Sequence, residues 1–460
     1  MSPTDMGLQK AVQPANPTTD GSGPRVQQAT TSIEDLSKMF TKMLLKDPEH
    51  SAQSSIEGLA YASIRPRVKE ELSKDKTFLK QLVKTLETAP AKSALTYGAL
   101  SILVNMTVYR PTQSEEQKRM NQLKAYANAA GKLQEDPLND HAHATERCKR
   151  VYEAGVVPVL VSHSKYGSLA SLSLIITIIH SLSTTISLRG NLAQQGAVRL
   201  LIAAWTALPE AEVQTRRTAA QALARVLITT NPTLVFGGNR PIPQSMAIRP
   251  LTSILLPDPN ADTRDLLPTF EALMALTNLA STDDDTRTSI VRAAWPAIED
   301  VLLSTNARVT TAAVELICNL VLNPAEALAL FGDGKPRSLN RLRILVALAD
   351  AEDAATRSAA GGALASLTAH EGVVRALLTL DRGMQNILSL CRDESDDLRH
   401  RGAFVVFNML AAEGDTGRAA KTKLLAAGAV AVLTECAKKS RRAAVVEVTV
   451  QALQALLEQT

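Results

Sequence analysis

Residues 270–281 read FEALMALTNLAS, and residues 312–322 read AAVELICNLVL. In both, apolar side chains fall at three- and four-residue steps, the spacing of a helix face, and both close on an Asn followed by a hydrophobe. The same kind of segment returns at 57–63 (EGLAYAS), 98–107 (GALSILVNMT), 174–183 (LIITIIHSLS), 219–229 (AAQALARVLIT), 361–370 (GGALASLTAH), 402–412 (GAFVVFNMLAA) and 450–459 (VQALQALLEQ). Alignment on one position superposes Tyr61, Asn105, Ser181, Arg225, Asn278, Asn319, Ser366, Asn408 and Gln454, at successive spacings of 44, 76, 44, 53, 41, 47, 42 and 46 residues. Six of the eight spacings fall in the roughly 40–47 residues of armadillo and HEAT units, and the two long ones mark insertions.

Between the aligned segments lie second apolar elements, as in EAGVVPVLVSH (153–163), QQGAVRLLIAAW (194–205), RAAWPAIEDVLLS (292–304) and AAGAVAVLTECA (426–437). Gly155, Gly196 and Gly428 stand just ahead of three of them, where a left-handed glycine ends one helix and lets the next begin. Each unit is thus expected to be two or three helices with sharp corners. No such unit buries its own apolar faces, so units must stack. The expected fold is an all-α, armadillo/HEAT-like, right-handed superhelical solenoid with a concave side suited to holding another protein. Aromatics are only 3% of the 460 residues, so the core must be built from Ala, Leu, Val and Ile.

Fifty Lys and Arg against 46 Asp and Glu leave a formal charge of +4. The charges are interleaved, with no basic stripe of the kind that tracks phosphates, so no nucleic acid is expected. No apolar run reaches the roughly 18 residues needed to span a bilayer, so no membrane is expected either. The N-terminus lacks the layout of a signal peptide. The four cysteines are far apart, three of them inside apolar helical runs, and a cytoplasmic location is expected. No phosphate loop, GxSxG or HExxH motif is present, and no cofactor and no enzymatic activity are expected.

Residues 1–31, rich in Pro, Thr, Gln, Gly and Ser, read as a disordered tail, and 32–460 as the repeat domain. Irregular insertions are expected at 110–150 and 229–251, the first opening with an amphipathic helix over 114–130 and the second broken by Gly237-Gly238 and four prolines. His141, His143 and Cys148 lack a second ligand pair at zinc-like spacing. The basic run Lys438, Lys439, Arg441 and Arg442 reads as a solvated helix end, and Asp283 to Asp285 as a helix N-terminus. Asn at four of the nine aligned positions asks for a reason, given its modest helix propensity. Either each amide bonds backbone in the corner between repeats, or the amides line the groove and read the backbone of a guest.

SIEGLAYAS, the string SALTYGALSILVNMTVYRPTQSEEQKRMNQLKAYAN, FEALMALTNLAS followed by Arg287, and AVELICNLV, in that order, resemble the UCS family of myosin chaperones, in particular its fungal members. The resemblance runs from about residue 55 to the C-terminus. It implies a non-enzymatic chaperone that holds the myosin motor domain and supports its folding and actin-based function. By the family's pattern the partner-binding groove comprises Asn105, Tyr109, Arg110, Glu115, Glu116, Leu123, Tyr126, Phe270, Asn278, Arg287, Glu315 and Asn319. Animal members carry a tetratricopeptide region that captures Hsp90. Residues 1–54 show no such repeat, so a contact with Hsp90 would use another surface; self-association is a further open expectation. The rival reading is an armadillo-type peptide-binding adaptor for cargo import or signalling. Such adaptors repeat Trp beside Asn on the groove helices, whereas Trp205 and Trp295 lie outside the aligned segments.

Overall fold

Each of the nine aligned positions lies in a helix: α1 (Ala52–Ala62), α2 (Ala94–Thr107), α3 (Leu169–Thr184), α4 (Val213–Ile228), α5 (Leu267–Ala280), α6 (Ala307–Leu320), α7 (Ala354–Leu367), α8 (Asp396–Leu410) and α9 (Ala443–Leu457). The computed structural model describes residues 32–110, 119–120, 136–238, 241–258 and 265–458, and among them there is no strand. The expected tail 1–31 lies outside the described residues, as does nearly all of the expected helix 114–130.

Local chemistry sets where these helices begin. The side chains of Ser93, Ser168, Asn306 and Asp353 accept hydrogen bonds from the first free backbone N–H groups of α2, α3, α6 and α7. Asp283 does the same for the helix Asp284–Val301, as its acidic run leads one to expect. Gly155, Gly196 and Gly428 adopt φ of +85°, +91° and +78° immediately before the helices Val156–His163, Ala197–Ala207 and Ala429–Lys439. They are the sharp corners that the sequence places there.

The nine helices stack in chain order, α1 on α2 through to α8 on α9, and form one continuous row. A second row lies beside it: Lys76–Thr88, Val156–His163, Ala197–Ala207, Ser245–Thr252, Asp284–Val301, Pro336–Leu348, Gly383–Arg392 and Ala429–Lys439. Across the gap between Asp284–Val301 and Pro336–Leu348, Glu299 meets Arg337 and Arg341 at 2.9 and 3.0 Å. Neighbours in the first row pack more closely than neighbours in the second, as expected of a stack that curves with α1–α9 on the inside. The interior is aliphatic: in α3, Leu172, Ile175, Ile176, Ile178, Ile179 and Leu182 are buried, and in α4 Ala219, Ala220, Ala222 and Ala224 let neighbours approach closely.

Part of the stretch expected to be irregular at 110–150 is instead an element of the core. His141–Glu153 is a helix capped by Asp140, with Cys148 and Val151 fully buried. Its Arg147 is also fully buried, and its guanidinium donates to Met106 O (2.8 Å), Leu138 O (2.7 Å) and Glu70 Oε2 (3.1 Å). The polar composition misleads here because the long arginine satisfies three buried acceptors at once. In 229–251, Pro232–Phe236 and Ser245–Thr252 are helical on either side of Gly237-Gly238. No single helix among the described residues is long and apolar enough to cross a membrane.

Candidate functional site: the inner face of the stack

The recurrent asparagines sit at one register on the inner row, and each amide reaches back to the preceding helix. Asn105 Nδ2 donates to Ala60 O (3.1 Å) and Ser63 Oγ (3.0 Å), Asn319 Nδ2 to Thr277 O (2.9 Å), and Asn408 Nδ2 to Ala365 O (3.0 Å) and Thr368 Oγ1 (3.3 Å). Asn278 Nδ2 donates to both Leu227 O and Thr230 O at 2.7 Å. Of the two roles the sequence leaves open, the N–H groups thus perform the first, a staple between consecutive repeats. All four residues are only half-buried, and their amide oxygens make no hydrogen bond among the described residues.

At the fourth repeat Arg225 replaces the Asn, and a closed polar network follows from it. Arg225 Nε meets Glu271 Oε1 and Oε2 at 2.9 and 3.1 Å, while its Nη1 donates to Thr184 Oγ1 (3.0 Å) and His180 Nε2 (3.1 Å). Gln221 Nε2 donates to Glu271 Oε2 at 2.8 Å. The network joins α3, α4 and α5, and both charges are buried. Burial, with the Arg225 guanidinium alongside, pushes the His180 imidazole down to about 4, so His180 is neutral and accepts from Arg225. His180, Gln221 and Glu271 were not among the residues expected at the site. The signal that could have found them is a charge at the Asn register with an opposite charge one repeat later.

The other expected residues divide by what they touch. Tyr109 is half-buried, its hydroxyl 3.1 Å from Thr145 Oγ1 and 3.3 Å from Thr185 Oγ1, its ring tilted against His141 at 4.8 Å; burial pushes its phenol pKa up. It pins the ends of α2 and α3 to the helix between them. Arg287 donates from Nε to Ala280 O (2.8 Å) and from Nη1 to Asp284 (2.5 Å), closing the C-terminus of α5. Phe270 packs against the core from α5, and Arg110 is exposed. Glu115, Glu116, Leu123 and Tyr126 lie outside the described residues. Glu315 on α6 is half-buried and makes no hydrogen bond or ion pair among the described residues; burial alone pushes its carboxyl pKa up.

Between these polar groups the inner row presents large apolar side chains to solvent. Tyr61 is 67% exposed and Tyr97 48% at one end, and Phe404 is 40% exposed at the other, its ring tilted against His400 and Phe407. No group of three or more metal-binding side chains occurs among the described residues.

A long row of stacked helices, stapled by side-chain amides and carrying exposed aromatics, defines an all-α helical-repeat solenoid. No family model matches the chain. It is 32% identical over 361 residues to Ring assembly protein 3 of Schizosaccharomyces pombe, covering 77% of this chain and 47% of that protein. The structure of UNC-45 from Drosophila melanogaster superposes with a TM-score of 0.76 at 26% identity, covering 93% of this chain and 52% of that one. The myosin chaperone UNC-45 from C. elegans, in complex with a Hsp90 peptide, superposes with a TM-score of 0.75 at 21% identity over 91% of this chain and 43% of that one, a likeness of fold. The chain is homologous to UNC-45 and the fungal UCS proteins over most of its length. It spans about half the length of the curated relatives it matches.

Proposed function

We propose that this chain is a non-enzymatic myosin chaperone that holds a partly folded myosin motor domain against the inner face of α1–α9 and supports actin-based processes. The observation that carries the reading is homology over most of the chain to UNC-45 and the fungal UCS proteins, combined with a continuous inner row that leaves Tyr61, Tyr97 and Phe404 in solvent. UNC-45 is described as a chaperone that binds and folds muscle myosin. Exposed aromatics on a rigid scaffold suit a non-native client, because they bury large apolar area at little entropic cost while requiring no fixed client sequence. A contact with Hsp90 belongs to the same reading, through a surface other than the tetratricopeptide region that animal members use.

The test is suppression of aggregation of a heated myosin motor domain by stoichiometric amounts of the chain. The wild type is expected to keep the motor soluble, and Tyr97→Ser with Phe404→Ser, at unchanged helical circular dichroism, is expected to lose most of that protection. Protection by the double variant equal to wild type would remove the inner face from the mechanism.

A further inference from the structure

We propose that Glu315 receives a basic side chain, lysine or arginine, of the polypeptide held on the inner face, with the amide oxygens of Asn319 and Asn278 as additional acceptors. The inference rests on the inner row being the client-binding face and names what one part of it selects.

The bond from Asn319 Nδ2 to Thr277 O locks α6 against α5. Glu315 lies one helical turn before Asn319 on α6, as Met274 lies one turn before Asn278 on α5, so the two hold the same place in consecutive repeats. Asn278 spends both amide hydrogens on Leu227 and Thr230, and Asn319 spends a donor on Thr277. What the strip has left to offer is mainly lone pairs: two amide oxygens and a carboxylate. On the next helix, α7, Gly362 holds the position equivalent to Glu315 and brings no side chain of its own; it lies against Cys318 of α6, and the space a side chain there would take is filled by Arg401 of α8. The Arg401 guanidinium crosses over Gly362 and donates to Ser358 O, and no hydrogen bond or ion pair joins it to Glu315. Met274 and Cys318 supply apolar flanks that suit the methylene stem of a long basic side chain.

Glu315 also differs from the other acids of the molecule. Every other described carboxylate whose titration is displaced is pulled down by donors or cations, as at Glu70, Glu299 and Asp353, whereas Glu315 is pushed up by burial with nothing to offset it. A half-buried carboxylate without a partner lowers stability and is repaired when a cation arrives.

The probes are two extended Gly/Ser/Leu peptides of identical sequence, one with two arginines and one with citrulline in their place, measured by fluorescence anisotropy beside capture of myosin motor domain. Wild type is expected to bind the arginine peptide about tenfold more tightly than the citrulline peptide, the worth of one charge-assisted hydrogen bond. Glu315→Gln is expected to unfold at the same or a higher temperature than wild type, yet to bind the two peptides equally. Glu315→Lys is expected to prefer a matched glutamate peptide. Equal binding of the two peptides by wild type, or an arginine preference that survives in Glu315→Gln, overturns the inference. If motor capture is intact in wild type and unchanged in Glu315→Gln, the inference falls and the chaperone reading stands. If wild type captures no motor domain the chaperone reading falls, and the peptide pair still decides the role of Glu315.

Discussion

Two neighbouring stretches of the inner row use the same register in opposite ways. Across α3, α4 and α5, Arg225 stands where other repeats have Asn, and its contacts with Glu271, Thr184 and His180 form a network closed within the protein. Across α5, α6 and α7, Asn278 and Asn319 use N–H groups to staple the helices, and Glu315 has no partner among the described residues. The first stretch is polar for the sake of the fold. The second keeps acceptors in hand. A polar residue on a concave repeat surface is therefore no evidence of binding until its hydrogen bonds have been accounted for.

The largest effect that would sharpen this contrast is expected from Glu271→Ala, which leaves the Arg225 charge buried and unpaired. Its unfolding free energy in urea should fall by about 3–5 kcal/mol, and combining it with Arg225→Met should recover much of the loss. Additive losses in the double variant would mean that the two residues are not a closed unit.

Next comes acid. His180 is neutral in the fold with a pKa of about 4, below its ordinary unfolded value, so the unfolded chain binds the proton first. Its contribution is full above pH 6.5 and is lost as the pH falls toward 4, on the order of 3 kcal/mol. Stability curves measured at stepped pH should show this slope, and His180→Gln should flatten it. A slope that survives the substitution would assign the acid sensitivity to another group.

Asn278→Ala removes two donors from partly buried carbonyls and should cost about 1–3 kcal/mol, with Asn319→Ala nearer 1 kcal/mol, both read by thermal unfolding. Reduced client capture in these variants must be weighed against that loss, so they report on folding as much as on binding. Gly428→Ala forces an alanine to φ of +78° with free space around it, and should cost about 1 kcal/mol of backbone strain without affecting capture.

The stacking order and the corners are legible in the sequence because they depend on local chemistry repeated nine times. The period in apolar segments places α1–α9, and a glycine ahead of an apolar run marks Gly155, Gly196 and Gly428. The helix His141–Glu153 is hidden because its buried arginine reads as surface, and only the distant acceptors Met106 O and Glu70 explain it. At the site, the position of the asparagines is readable but their use is not. Whether an amide faces a carbonyl of the previous repeat or solvent depends on helix packing some 40–50 residues away in sequence. The network around Arg225 is hidden for the same reason, since each of its bonds crosses from one repeat to the next.

The claim that the inner face holds the client is tested most directly by placing the photo-crosslinker benzoylphenylalanine at Tyr97 or Phe404, both exposed on the inner row, and separately at Arg199, exposed on the second row. With a partly unfolded myosin motor domain present, the expected result is motor adducts from Tyr97 and Phe404 and none from Arg199. Adducts from Arg199 alone, or in equal yield from all three positions, would contradict it.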